Sequence, residues 1–298
     1  MSTTHIIIVN YNAGEWLSRC LSSVLRYTES NITVVDNNST DNSTENAQAS
    51  FANQPRLSWE LNIDNIGFAA ANNQVLENLN ADFALLLNPD CEINGSTLPL
   101  MLSAFKNNEK LAIASCCIYN EDGSVQNTCR RRFPTPWTSL VRLLQLHRLF
   151  PNNTKFANFD YGEFIKETEL SGDHVIVEPV EAISGACMMV RQTAIKDIGL
   201  LDEAYFMHCE DLDWCKRVEK SRWYVGFVGA ASIVHAKGVS SQSRPIKVLW
   251  TLHKGMNRFF DKHYYQQYSF PIRLLVKVGI MCSFILRSTT SLVKNWVN

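Results

Sequence analysis

The chain has 298 residues, 46% hydrophobic and 19% charged, with a formal net charge of −1. That balance excludes a disordered chain, offers no general basic surface for nucleic acid, and suits one large domain or one domain with an appendage. The nine cysteines are scattered and no CxxC occurs, which argues against a disulfide framework or a structural zinc site and favours a reducing compartment.

The N-terminal "MSTTHIIIVNYN" lacks a basic start and its apolar run is too short for a signal peptide, so a cytoplasmic location is expected. Residues 5–12 read as a buried strand ending in polar Asn10, Tyr11 and Asn12. Residues 16–27 have helical spacing through Trp16, Leu17, Cys20, Leu21, Val24 and Leu25. "ITVVDNNSTD" (32–41) is a second strand that ends at Asp36, and a short strand is expected near 57–61. "NIGFAAANNQVLENL" (65–79) reads as a loop feeding a helix. "DFALLL" (82–87) is the next strand and 96–106 the next helix. Strand and helix alternate through about the first hundred residues, which predicts a parallel sheet with helices on its faces.

The middle (130–180) is less regular. It holds "RRRFPTP" (130–136), a helical run over 140–149 and a polar stretch to Asp173. After it come "SGACMMVR" (184–191), "EDLDWCKRV" in a predicted helix, and strands over 224–228 and 232–235. There is no GxGxxG after the first strand and no GxxxxGK[ST], so dinucleotide and P-loop readings lose their main support.

Ligands of open α/β sheets bind outside the carboxyl ends of the strands, and the polar residues here gather at those ends. "LLLNPD" ends a strand at Asn88 and Asp90; Asn-Pro-Asp is also a good turn. Glu210 and Asp211 open a helix, where acids complement the dipole and where one could serve as a general base. His235 ends an apolar strand: it is either structural or, beside Asp90, part of an oxygen/nitrogen site for Mn²⁺ or Mg²⁺. Arg130, Arg131 and Arg132 form either a solvated basic loop or a clamp for phosphates.

"IIIVNYN", "VVDNNSTD", "NIGFAAANN", "LLLNPD", "SGACMMVR", "LLDEAYFMHCEDLDWCKR" and "IVHAKGVSS" occur in this order. Together, over residues 5–241, they resemble family 2 glycosyltransferases of the GT-A fold, especially the bacterial rhamnosyltransferase-like branch. The resemblance implies an α/β, Rossmann-like nucleotide-diphospho-sugar transferase fold, a nucleotide-sugar donor and an inverting single displacement. It assigns Asp36 to the nucleotide base, and Asn10, Tyr11 and Asn12 to the loop around base and ribose. Asn65, Gly67, Phe68 and Asn72 match a segment lining the donor site. Asn88 and Asp90 stand where the family carries its DXD metal motif, with Asn in place of the first Asp. Asp211, beside Glu210, matches the catalytic base, and His235 a residue that completes the metal or diphosphate site. The implied cofactor is a divalent cation. The implied donor is dTDP-rhamnose and the acceptor a glycan or polyprenyl-diphosphate-linked sugar of cell-surface polysaccharide synthesis. A nucleotidyltransferase and a non-catalytic nucleotide-sugar-binding module are the rival readings.

Residues 1–245 are thus expected to form the catalytic domain and 246–298 a basic, amphipathic helical segment. That tail carries a net charge of +7 against −8 for the remainder. Its longest uncharged run is too short to span a bilayer. It is expected either to lie on the inner face of the cytoplasmic membrane or to pack on the catalytic domain.

Overall fold

The computed structural model describes residues 2–150, 153, 170–171, 174–236 and 245–297. Most of the polar stretch before Asp173, Asp173 itself and the end of the 232–241 motif lie outside the described residues.

Strand β1 (Thr4–Asn10) is almost wholly buried, as expected of a β-branched run covered on both faces. Helix α1 (Trp16–Tyr27) turns Leu17, Cys20, Leu21 and Val24 inward and ends where Thr28 becomes extended. β2 (Asn31–Asp36), α2 (Ser43–Ser50), β3 (Leu57–Leu61), α3 (Phe68–Leu76) and β4 (Phe83–Leu87) follow. β1 pairs in parallel with β2 and β4, and β2 with β3, so this half is the parallel sheet that the alternation predicts.

The second half is different. β5 (Cys91–Ile93), α4 (Thr97–Asn107) and β6 (Leu111–Tyr119) lead to a short ribbon strand β7 (Arg130–Arg131) and helices α5 (Pro136–Leu143) and α6 (Leu146–Leu149). The short strands β8 (Leu170–Ser171), β9 (His174–Val175), β10 (Glu178–Pro179) and β11 (Ala182–Ile183) come next. They precede β12 (Cys187–Arg191), α7 (Gln192–Ile198), α8 (Glu210–Glu219), β13 (Tyr224–His235), α9 (Pro245–His263) and α10 (Phe270–Val297). β12 enters antiparallel between β4 and β6, so the sheet is mixed rather than parallel. The two strands expected over 224–235 are one strand, with its register interrupted between Val228 and Ser232. β6, buried from Leu111 to Ile118, was not among the expected elements, although a continuous apolar run is what a central strand looks like.

Two pairings position the site. β12 beside β4 sets the Asn88 N–H on the Ala186 carbonyl at 2.9 Å, so residues 184–186 lie beside the end of β4. β5 pairs antiparallel with β13, matching Cys91 with His235, and the Ala236 N–H bonds the Asp90 carbonyl at 3.0 Å. Sheet hydrogen bonding therefore joins segments that are about half the chain apart.

Candidate active site

At the ends of β1 and β2 the loops are laced to each other. Asp36 Oδ1 accepts from Asn10 Nδ2, Ser39 Oγ and Thr44 Oγ1 at 2.9, 2.6 and 2.6 Å. Its Oδ2 accepts from the Ser39 N–H. Asn12, in the left-handed region at φ 52°, accepts from the Thr40 N–H at 2.7 Å. Asp36 is buried, and its carboxylate orders the turn that follows it. Asn37 continues the lacing by donating to the Gly67 carbonyl.

Gly67 has a φ of +92°, and a Cβ there would stand 2.5 Å from the Phe206 carbonyl oxygen. Only glycine fits such a close backbone approach at positive φ. The Phe68 N–H bonds the same carbonyl at 2.8 Å, and Asn65 Oδ1 accepts from the Gly67 N–H. This pins the 65–68 loop to the segment leading into α8. Asn72 donates to the Phe68 carbonyl within its own helix. The neighbouring Asn73 makes the longer tether: it donates to the Leu201 carbonyl and accepts from the Leu201 N–H.

Asp90 and His235 are brought together as side chains, Oδ1 to Nε2 at 3.2 Å, both largely buried. Gln126 determines what that contact is. Its Nε2 donates to Asn120 Oδ1 at 2.9 Å and to the His235 carbonyl at 3.0 Å, which leaves Oε1 facing His235 Nδ1 at 3.1 Å. Nδ1 thus carries the hydrogen, and the Nε2 of a neutral ring turns a lone pair toward a carboxylate. Two acceptors this close need a cation, a proton or a metal ion. Adjacent ligands on a metal with bonds of about 2.1 Å lie about 3 Å apart, so the pair fits a hard divalent cation. Cys91 is the third group of this cluster. Its thiol donates to the Ala186 carbonyl, and burial beside Asp90 pushes its pKa well above the ordinary value, so it presents no thiolate. Asn88, at the tip of β4, accepts from the Cys91 N–H through its carbonyl.

The second carboxylate centre lies at the start of α8. His208 and Cys209 are both left-handed, at φ 73° and 70°, and swing Glu210 and Asp211 into the first helical turn. Asp211 Oδ2 accepts from the Gly185 N–H at 3.1 Å and from the Arg131 guanidinium; Oδ1 accepts from the Leu212 N–H at 2.7 Å. Its side chain is 13% exposed. Glu210 is buried, and that burial, with the neighbouring Asp211 charge second, pushes its pKa up to about 8. Glu210 therefore keeps its proton at neutral pH, and Asp211 is the partly exposed acid of the two. The backbone of residues 184–186 touches both centres, through Cys91 on one side and Asp211 on the other.

A profile of the family described as "Glycosyl transferase family 2" matches residues 5–199. The chain belongs to that family. The match ends before Glu210, Asp211 and His235, whose roles rest on the geometry above. Among relatives, an N-acetylglucosaminyl-diphospho-decaprenol L-rhamnosyltransferase of Mycobacterium tuberculosis is 27% identical over 275 residues, covering 87% of this chain and 84% of that protein. The low-salt glycan biosynthesis hexosyltransferase Agl10 of Haloferax volcanii is 28% identical, covering 78% and 67%. Rhamnosyltransferase WbbL of Escherichia coli is 26% identical over 52% of each chain. Of solved structures, GalNAc-T7 with UDP, GalNAc and Mn²⁺ superposes with a TM-score of 0.64 at 14% identity, over 88% of this chain and 48% of that one. S. aureus TarS 1–349 with UDP gives 0.52 at 15% identity, over 87% and 72%. The transferase therefore spans about half the length of the GalNAc-T7 chain, and these neighbours establish a GT-A-like mixed α/β fold.

The three arginines of this transferase diverge. Arg130 pairs with Glu178 at 2.7 Å and lies over the Phe227 ring. Arg131 is turned by the β7–β11 ribbon onto Asp211 and the Ile183 carbonyl. Arg132 follows, half-buried. The phosphate-clamp reading thus meets two side chains already matched by carboxylates. Tyr11 is half-buried at the mouth of the β1 loop. Sequence reasoning did not single out Gln126, Gly185 or Asp213. Asp213 had a signal, since an acid two residues after Asp211 lies on another face of the helix. Gly185 stood inside the motif "SGACMMVR", and Gln126 had no signal.

Proposed function

We propose that this transferase moves rhamnose from dTDP-rhamnose to a lipid-linked or glycan acceptor, with inversion at the anomeric carbon. The observation that carries the reading is the facing pair Asp90–His235, 3.2 Å apart, joined through residues 184–186 to the partly exposed carboxylate of Asp211. The names of the mycobacterial and E. coli relatives support rhamnose, and the decaprenol of the former supports a lipid-linked acceptor.

Asp90 and His235 would hold Mn²⁺ or Mg²⁺, with Asn88 beside them. A cation bound there supplies neutralisation of the departing nucleoside diphosphate. Asp36 and the laced loops of Asn10, Tyr11 and Asn12 form the base and ribose end. The 65–72 segment, held under Phe206, lines the donor. Asp211, oriented by Gly185 and Arg131, takes the proton of the acceptor hydroxyl as that oxygen attacks the anomeric carbon opposite the leaving diphosphate. One displacement breaks the glycosidic C–O bond and forms the new one, and Glu210 stays protonated behind.

The test is donor-dependent thermal stabilisation with dTDP-rhamnose, UDP-N-acetylglucosamine, UDP-galactose and GDP-mannose, each with and without Mn²⁺ or Mg²⁺. A shift selective for dTDP-rhamnose and larger with metal is expected. A selective shift with another donor would replace rhamnose. A shift indifferent to metal would remove the cation role of Asp90 and His235.

A further inference from the structure

Helices α9 and α10 lie beyond the family match, and among the described residues no helix is long and apolar enough to cross a membrane. α9 instead packs on the segment that leads into α8. Asp202, before that segment, accepts from Arg258 Nη2 at 2.8 Å and Lys262 Nζ at 2.7 Å. Asp213, after it, accepts from Lys262 Nζ and His263 Nε2, each at 2.8 Å. Phe259 stacks on Phe133 with ring centroids 6.3 Å apart. These α9 residues recur at helical spacing, and Gly255 falls on the same face.

Gly255 stands in the interior of α9, where glycine weakens a helix. A Cβ there would lie 2.8 Å from the His208 carbonyl oxygen and 3.3 Å from both Cβ and Sγ of Cys209. Gly279 on α10 is the contrast: a Cβ there meets nothing within 4 Å. The atoms that Gly255 admits belong to the left-handed pair His208 and Cys209. Non-glycine residues in that region are strained and persist only where their surroundings hold them. Cys209 opens α8 without a side-chain cap, and Glu210 and Asp211 follow it directly. On the other side of the segment, the Phe68 N–H holds the Phe206 carbonyl.

We propose that Gly255 is a positioning residue: it lets α9 seat the His208 carbonyl, and so holds the left-handed pair that aims Asp211 at Gly185 and Arg131. Close helix packing alone would ask for a small residue against any part of α8. Here the closest approach falls on the backbone of a strained residue, three positions before Asp211 and between the two carboxylates that α9 holds. A methyl group at 255 must push that carbonyl or displace α9, and either turns the start of α8. A misplacement of about 1 Å costs on the order of a hundredfold in rate. That Asp211 reacts rests on the transferase reading; that Gly255 sets the segment rests on the packing alone.

The experiment compares Gly255→Ala with the wild type, as full chains, by two readouts. The first is amide hydrogen exchange: amides 206–213 should exchange about tenfold faster in the variant, while those of β1 and β4 stay unchanged. The second is release of dTDP from dTDP-rhamnose with Mn²⁺, water taking the place of the acceptor hydroxyl. There kcat should fall about a hundredfold with the donor KM within about twofold. Gly255→Ala/Cys209→Gly should recover most of that loss, since glycine at 209 removes the crowding Cβ and Sγ and tolerates the positive φ. Gly279→Ala should match the wild type in both readouts. If Gly255→Ala does not fold, Arg258→Gln/Lys262→Gln, at partly exposed positions, loosens the same hold from the surface and should lower kcat about tenfold at unchanged donor KM. Unchanged kcat overturns the proposal, as does unchanged exchange over 206–213. A purely structural role would lower the melting temperature, leave kcat in place below it and give no rescue, and that pattern also overturns it. A wild type that releases no dTDP and shows no donor-dependent thermal shift fails the transferase reading, and the exchange comparison still decides what Gly255 holds.

Discussion

Asp90 and Asp211 are both carboxylates delivered to the same rim of the sheet, and they are matched in opposite ways. Asp90 faces His235 Nε2 at 3.2 Å, the two segments being joined by β5–β13 pairing. Asp211 faces the Arg131 guanidinium, carried in by the β7–β11 ribbon. The first carboxylate meets an imidazole; the second meets a guanidinium and stays partly exposed. On the proposed reading, the difference would suit the first carboxylate to a cation and the second to proton transfer. Burial explains the rest: beside Asp211, Glu210 has no cation of its own and is driven to the neutral form.

The largest test of this contrast is Asp211→Asn. Turnover should fall about a thousandfold, the scale of a lost general base, while the donor-dependent thermal shift stays. Unchanged turnover would sink the assignment. The next is Asp213→Asn. Asp213 is fully buried and accepts from His263 Nε2, Lys262 Nζ and Arg217 Nε, which ties α8 to α9. Removing its charge leaves Arg217 without its anion, while Lys262 keeps Asp202, and should cost about 3 kcal/mol, read as a lower denaturation midpoint. Those partners also hold the Asp213 carboxyl down to about 2, against the opposing effect of burial. Because its folded value is depressed, the stabilisation is present in full above about pH 4 and is lost as pH falls toward 2. The variant should show no such acid-limb loss; an unchanged limb would assign it elsewhere.

At the Asp90 end the sharper probe is Gln126→Leu. It removes the acceptor that holds the hydrogen on His235 Nδ1, and Mn²⁺ affinity measured by calorimetry with nucleoside diphosphate should drop about 10–100-fold. An unchanged affinity would show that Gln126 does not tune His235 for metal. Smallest is Glu210→Gln, which concerns pH more than turnover. The raised folded value means that native Glu210 keeps a proton that the unfolded chain has lost. Wild-type stability therefore falls as pH rises from about 5 toward 8, and the variant should flatten that slope. A slope that persists in the variant would assign it to another group.

Legibility followed chain locality. The parallel run of β1, β2, β3 and β4 was readable because each strand is a local apolar run closed by polar residues. β12 kept its place in the chain but not its direction, because antiparallel insertion between β4 and β6 is decided by what those strands leave unpaired. The tail was read as either packed or interfacial, and the structure separates it by face: α9 packs so closely that a Cβ on Gly255 would stand 2.8 Å from the His208 carbonyl, while α10 turns apolar residues outward. The arginine run read as a charge cluster because spacing says nothing of which acid each guanidinium will meet.

The sequence by itself determined the alternation of elements, the family, and the residue types at the strand ends, since these depend on near neighbours in the chain. Only the tertiary structure decided that Asp90 meets His235, that Gln126 sets the ring's tautomer, that Arg131 rather than solvent answers Asp211, and that Gly67 lies under Phe206. Those contacts are made by sheet register and helix packing between segments far apart in sequence, and no local pattern encodes the partner across such a gap.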